Sequence, residues 1–407
     1  MLGGRETAVR VRARVVAVAV LATVVGMYAG WGDPAGAGAE EPEPAAAVVP
    51  RHPAVFDPAR LHAADSVVRD QVERRVIPGG ALVVGVGAQV VHRASFGRVG
   101  WSEAAEPVDT RETMYDLASL TKAVATASAV WLLVEDGRMS LDDRVSKHLP
   151  HFAGGVEYGV TIGQLLTHTG GVREGAFPRS DDPRVVRRQL VELTPLLRPG
   201  EQVLYSDLGY VVLWEAAERA AGEPLPAFLR RRLWEPLGME GTRMAAPRGC
   251  PRCAPTLRLQ DGEVYRGGSY DHTARRLRGI AGNAGLFSTA DDLARFAGMI
   301  ANGGELGGVR IFREETVRAM LAPHPGAGSF TPGWTAYCRA RKVPPREGCA
   351  EVLAVGYTGS TGTSLWIDAE TRTWVVLLTN RVYQPRVRRF DMQDLRRQVF
   401  AAVTGAG

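Results

Sequence analysis

Lysine is almost missing from this sequence. Of 49 basic residues only Lys122, Lys147 and Lys342 are lysines, and the others are arginines. A guanidinium stays protonated and cannot serve as a base, whereas an amine can be tuned by its surroundings, so each lysine here merits locating. Cysteine is scarce too, with four in 407 residues, which excludes a small scaffold held together by disulfides. No basic block is present: Lys and Arg (49) nearly balance Asp and Glu (44) and are interspersed with them. A phosphate-tracking surface, and with it nucleic-acid binding, is therefore not expected. The apolar run Val15 to Ala29 spans about fifteen residues, short of the roughly 20 that cross a bilayer. No internal repeat appears, which removes solenoids and propellers. What remains is 45% apolar and 23% charged, the make-up of a globular chain with a sizeable core.

Arg5, Arg10, Arg12 and Arg14 precede that apolar run, and Ala37-Gly38-Ala39 follows it. Basic flank, apolar stretch and small-residue site together read as a signal peptide over residues 1–39, or as an N-terminal membrane segment if it is not cleaved. Residues 40–55, rich in Pro, Ala and Glu, read as an extended linker, and the folded domain is expected over 56–407. Export would place the domain in the periplasm, in the medium or on the outer face of the cytoplasmic membrane. Contact with the membrane would come only through an uncleaved N-terminal segment. In that setting Cys250, Cys253, Cys338 and Cys349 read as two disulfides, with half a zinc site or free thiols as the alternatives, and none of these readings is catalytic.

Ala81 to Phe96 contains two β-branched runs about a Gly-Ala-Gln turn, and Ser364–Asp368 with Thr373–Asn380 forms a second hairpin pattern about Ala369-Glu370-Thr371. Between them the periodicity is helical. Leu120, Val124, Ala127, Trp131 and Val134 share one face of a helix over Ser119–Asp136 that stops at Gly137. Thr161 with Gln164, and Thr289 with Asp292, resemble capping pairs. Gly209 to Ala221 is a further helix, closed by Gly222, while Met244 to Gly285 reads as a loop that could rim a cleft. Strands at both ends with helices between them give the class α+β: an antiparallel β-sheet flanked by terminal helices, with a large inserted helical region.

Ser119-Leu120-Thr121-Lys122 is the strongest chemical signal. Three residues apart on a helix, Ser119 and Lys122 share a face, and the amine can hydrogen-bond the hydroxyl and assist its deprotonation. Two further stretches follow in order, Tyr205-Ser206-Asp207 and Tyr357-Thr358-Gly359-Ser360. With Val76-Ile77-Pro78-Gly79, Leu165-Leu166-Thr167-His168-Thr169-Gly170-Gly171 and Ala284-Gly285-Leu286-Phe287-Ser288-Thr289, the chain from about Asp57 to Val403 resembles the serine beta-lactamase and penicillin-binding-protein family. Within it the likeness is to the branch of class C beta-lactamases, D-Ala-D-Ala carboxypeptidases and related esterases. The resemblance implies a beta-lactamase/transpeptidase-like fold and an acyl-enzyme on Ser119, with Lys122 and Tyr205 sharing proton transfer. It also implies an oxyanion hole from the backbone N–H groups of Ser119 and Ser360, with Thr358 and Gly359 beside the substrate. The substrate would be a small molecule or peptide: a D-alanyl wall peptide such as a peptidoglycan stem peptide, an ester or a β-lactam. No metal and no cofactor are implied. A penicillin- or wall-peptide-binding protein that acylates slowly or not at all is the alternative.

Two positions depart from the family pattern. Asp207 stands where many members have Asn; a carboxylate cannot donate to a substrate carbonyl, and is expected instead to pair with Lys122 and hold it as an ammonium, leaving more of the base role to Tyr205. Tyr357 stands where Lys or His is usual, which weakens the case for efficient β-lactam turnover. If Asp368 pairs with Thr373, Ser360 falls opposite Arg381, which could replace the missing cation, although a solvated strand-end arginine is the simpler reading. His168 reads as a hydrogen-bonded loop histidine, Asn283 as a turn residue, Trp131 as core, and Arg388, Arg389, Arg396 and Arg397 as a solvated helix face. His148 and His151 show no acidic or Cys partner in the sequence, so metal binding there is not expected.

Overall fold

The computed structural model describes residues 57–172, 180–258, 264–338, 352–368, 370–383 and 392–405. The expected leader, the linker, Lys342, Cys349, Arg388 and Arg389 lie outside the described residues.

Strand β1 (Gly79–Val86) is an unbroken apolar run buried almost throughout, as a central strand covered on both faces requires. It turns through Gly87, at φ +49°, into β2 (Gln89–Gly97), which is far more exposed. Five strands from the far end of the chain complete the sheet: β3 (Phe330–Thr331), β4 (Trp334–Cys338), β5 (Val352–Thr358), β6 (Ser364–Asp368) and β7 (Thr373–Thr379), in the order β3-β4-β5-β6-β7-β1-β2. The pairings are antiparallel, and the two ends of the chain meet where Ala81 faces Leu378 and Val83 faces Val376. In the second hairpin Ser364 pairs with Leu377 and Ile367 with Trp374, the register expected from the sequence.

Side chains alternate across a strand, so β1 serves two cores. Leu82 and Val84 pack with Val375 and Leu377 beneath two terminal helices, α1 (Pro58–Glu73) and α5 (Met392–Thr404), which add Ala64, Val68, Leu395 and Val399. Ala81 and Val83 point the other way, into the larger core shared with α4 (Ala290–Ala301) and the insert. The fold is thus the α+β arrangement read from the sequence.

Two helices of the insert place the site. Helix α2 (Ala118–Glu135) is buried, Trp131 included, and the Trp131 Nε1–H donates to Pro332 O at 3.0 Å. It is not the regular helix that its spacing predicts. A tight turn at Ala118–Leu120 leads into a π-helical stretch, Lys122–Ala127, before α-geometry resumes at Ser128. Ser128 Oγ donates to Ala123 O and Thr126 Oγ1 to Gly282 O, so hydroxyls support the widened turn; such turns are concentrated at functional positions. Helix α3 (Asp207–Ala221) is capped by Ser206, whose Oγ accepts from Gly209 N, and closes at Gly222 with φ +69°. The Thr161–Gln164 capping box and the Thr289 cap are both present.

The stretch from Met244 to Gly285 is more ordered than a loop. It holds two short strands, Leu257–Arg258 and Val264–Tyr265, and a helical turn, His272–Arg276. A Cys250–Cys253 disulfide closes its first bend. That bend is tied to the strand preceding Ser119, because Met114 N donates to Arg252 O and Ala254 N to Met114 O, both at 2.8 Å. His148 does have an acidic partner, Asp143 at 2.8 Å, which the sequence spacing hid; among the described residues no cluster suited to a metal occurs.

Leu377 is 1% exposed beneath the terminal helices. Leu377→Ala is expected to lower unfolding free energy by about 2–5 kcal/mol in urea titration. A change below about 0.5 kcal/mol, the size typical of surface substitutions, would contradict this placement of the second core.

Candidate active site

Ser119 stands at the start of α2, at the mouth of a cavity of about 430 Å³ also bounded by Tyr205, Tyr357, Thr358, Gly359 and Ser360. Its approach is strained. Ala118 has φ +46°, a left-handed conformation that costs a residue with Cβ roughly 1–3 kcal/mol unless its surroundings enforce it. They do so here: the buried Asp116 carboxylate accepts from Ala118 N at 2.9 Å and from Tyr270 N at 2.6 Å. Burial raises the pKa of Asp116 to about 6, against the opposing pull of those two N–H groups. From the far side, Thr361 Oγ1 donates to Asp116 O at 2.6 Å and Thr363 Oγ1 to Leu117 O at 3.0 Å. The turn after β5 is therefore fastened to the backbone entering Ser119.

Lys122 is fully buried. Its Nζ donates to Ser119 Oγ at 3.2 Å and to Asn283 O at 3.1 Å, and it forms an ion pair with Asp207. Burial alone would lower the pKa of an amine; the facing Tyr205 and Asp207 outweigh it and hold Lys122 above its ordinary value, hence as an ammonium. Tyr205 Oη donates to Ser119 Oγ at 3.0 Å, and the Lys122 ammonium lies 5.0 Å from the Tyr205 ring centre. The structure thus brings Ser119, Lys122, Tyr205 and Asp207 into one contact network.

The third stretch lies on the opposite wall. Tyr357 is buried, Thr358 half-buried and Ser360 exposed. Gly359 is needed for a reason other than the expected approach of substrate. A Cβ there would lie 2.2 Å from Thr363 Oγ1 and 2.3 Å from Leu117 O, so the crowding comes from the protein itself, one side-chain hydroxyl and one backbone carbonyl. Arg381 lines the cavity, and its Nε donates to Ser360 O at 3.1 Å. The register that set these two residues opposite each other is the one observed.

Three residues have more to do with the site than their sequence context showed. Arg396 does not belong to a solvated face: it is buried and donates through Nη2 to Gly359 O at 2.7 Å and to Thr363 O at 2.8 Å. The signal was present, since Met392, Arg396, Val399 and Val403 fall on one helical stripe. Asn283 is buried, gives its carbonyl to Lys122 and donates through Nδ2 to Asp271 at 3.1 Å. His168 is a hydrogen-bonded loop residue as expected, and its ring also stacks on Tyr205 with centroids 4.5 Å apart. Arg397 pairs on the surface with Asp394.

A family model described as Beta-lactamase matches residues 64–398. A protein of Escherichia coli K12 named for D-alanyl-D-alanine carboxypeptidase activity is 28% identical over 368 residues, covering 81% of this chain and 84% of its own length. Among solved structures, EstCE1, a hydrolase with promiscuous acyltransferase activity, superposes with a TM-score of 0.65 at 22% identity, over 85% of this chain and 98% of its own. The D-alanine carboxypeptidase AmpC of Burkholderia cenocepacia gives 0.64 at 21%, over 85% and 99%. At such identity these two structures establish the fold.

With three lysines in the chain, carbon-13 labelling of lysine gives a spectrum simple enough to follow Lys122 alone. Asp207→Asn removes a charge that favours the ammonium, so Lys122 is expected to lose its proton at lower pH than in the parent. An unchanged titration would show that Asp207 and Lys122 are not coupled.

Proposed function

The chain belongs to the beta-lactamase family and is a serine hydrolase, and from that premise we propose that it is an exported enzyme cleaving D-alanyl peptides or esters through an acyl-Ser119 intermediate. The observation that carries the reading is the double contact at Ser119 Oγ, with Lys122 Nζ at 3.2 Å and Tyr205 Oη at 3.0 Å. The reacting form is the one in which Tyr205 has released its own proton to solvent and its oxygen faces the Lys122 ammonium. As Oγ bonds to the substrate carbonyl carbon, the Ser119 hydroxyl proton passes to that phenolate oxygen. The same proton is then delivered to the departing amine or alcohol as its bond to that carbon breaks. Water repeats the sequence on the acyl-enzyme and frees Ser119. The backbone N–H groups of Ser119 and Ser360, on two walls of one cavity, are the donors to the oxyanion.

Tyr357 supports ranking neutral esters above β-lactams, because a buried phenol supplies no cation for a substrate carboxylate at that position. Arg381, on the cavity wall, is the group offered to a D-alanyl carboxylate. The basic flank, apolar run and Ala-Gly-Ala site at residues 1–39 support export, and with it a wall stem peptide as substrate. The names of the E. coli and Burkholderia relatives favour the peptide, and that of EstCE1 is consistent with the ester.

Rates on a D-Ala-D-Ala peptide, a p-nitrophenyl ester and a chromogenic β-lactam, from one preparation, test this reading. The peptide or the ester is expected to exceed the β-lactam in kcat/KM by about tenfold or more, and Ser119→Ala to lose roughly a thousandfold or more on all three. Preferred β-lactam turnover, or an active Ser119→Ala, would refute it. Arg381→Ala should raise KM for the peptide and spare the neutral ester; equal loss on both would remove Arg381 from carboxylate binding.

A further inference from the structure

Two groups behind Ser119 are not used by the reaction above, His168 and Tyr357. His168 is 2% exposed and held at φ +58°, a conformation that a non-glycine residue keeps only under constraint. Its ring is fixed on three sides: stacked on Tyr205, edge-on to Phe330 at 4.7 Å, and tilted against Tyr210 at 5.0 Å.

The hydrogen bonds of that ring set its tautomer. Ser206 N lies 3.1 Å from His168 Nδ1, and a peptide N–H can only donate, so Nδ1 carries the lone pair. Burial, with the Lys122 charge nearby, holds the His168 pKa well below the usual range, and the ring is neutral. A neutral imidazole accepting at Nδ1 has its hydrogen on Nε2. Nε2 lies 3.1 Å from Tyr357 Oη, so it donates to that oxygen.

Tyr357 is then an acceptor toward His168 with one proton of its own to give. Burial, first, and the neighbouring Tyr205 and Tyr210 phenols keep that proton in place. Tyr357 bounds the cavity together with Ser119 and Tyr205, and the Tyr205 phenol is among the neighbours that raise the Tyr357 pKa. Three polar neighbours of Tyr205 have partners of their own: Lys122 and Asp207 pair with each other, and Tyr210 Oη donates to Leu166 O at 2.8 Å. On the cavity wall Arg381 donates to Ser360 O, and Arg396 to Gly359 O and Thr363 O.

We propose that Ser206 N–H, His168 and Tyr357 form a one-way chain of hydrogen bonds ending on the Tyr205 oxygen, so that a neutral donor steadies that oxygen in the deprotonated form that then takes the Ser119 proton. No proton travels along the chain; His168 and Tyr357 keep theirs, and only their direction matters. His168 is a positioning residue acting through Tyr357. The tyrosine standing where the family has a cation thus has a task of its own, support of the base, and not recognition of a substrate carboxylate.

The catalytic arm of the test rests on the serine-hydrolase reading; the structural arm does not. Nitrogen-15 NMR of the resting protein reads the His168 tautomer directly, with a His168→Asn variant to assign the signal. The expected result is a hydrogen on Nε2 and no titration from about pH 5.5 to 8.5; a hydrogen on Nδ1, or titration within that range, would overturn the chain whatever the substrate proves to be. Tyr357→Phe keeps the ring and removes the oxygen. It should lower kcat roughly ten- to a hundredfold, equally on a p-nitrophenyl ester and a D-Ala-D-Ala peptide, the worth of one hydrogen bond to a charged oxygen. KM should stay within about twofold, and the acid limb of the rate profile should move to higher pH. A kcat within about twofold of the parent, or a loss confined to KM for the carboxylate-bearing peptide, would sink the proposal.

Discussion

A buried ammonium is the constraint around which the rest is arranged. Lys122 has no exposed surface, and a charge removed from water must be met by fixed partners. Those partners come from three places: Ser119 one turn earlier on α2, Asp207 at the first position of α3, and the carbonyl of Asn283 from the segment returning to the sheet. Each of those segments is held by further hydrogen bonds. Thr126 holds Gly282, Ser206 caps α3, and Asp271 holds the Asn283 side chain. Loss of one partner of a buried charge typically costs about 3–5 kcal/mol, so the packing of the insert and the surroundings of Ser119 are one problem.

The sheet contributes at a single edge of this network. The turn that follows β5 reaches across to the backbone at Asp116 and Leu117 through Thr361 and Thr363, and Arg396 on α5 grips the same turn from outside. Strain at Ala118 and at His168 sits on either side of Tyr205 and Ser119, where a firm surrounding structure can maintain it. A site built this way is held in one arrangement in advance, which is what the proposed stabilisation of an oxyanion requires.

Much of this was legible in the sequence, for physical reasons. Period-two apolar runs around short turns defined both hairpins, and a two-sided core left little room for a register slip; the placing of Arg381 opposite Ser360 followed. Ser119 and Lys122 stood out because three residues on a helix bring side chains together, and because lysine was otherwise avoided. The charge pairing of Asp207 followed from its chemistry. What stayed hidden depended on partners far apart in sequence. His168 and Tyr357 meet across 189 residues and Arg396 and Gly359 across 37, and no local pattern encodes either contact. The crowding that demands glycine at 359 comes from Leu117, on another element. The π-helical turn in α2 follows from hydroxyl bonds that apolar spacing does not report.

A covalent bond to substrate at Ser119 is the central requirement of an acyl-enzyme hydrolase. Mixing the protein with an acyl donor whose product deacylates slowly, quenching, and mapping the digest by mass spectrometry locates that bond. The predicted result is one acyl group, carried by the peptide that contains Ser119; no adduct, or an adduct on any other residue, would contradict it.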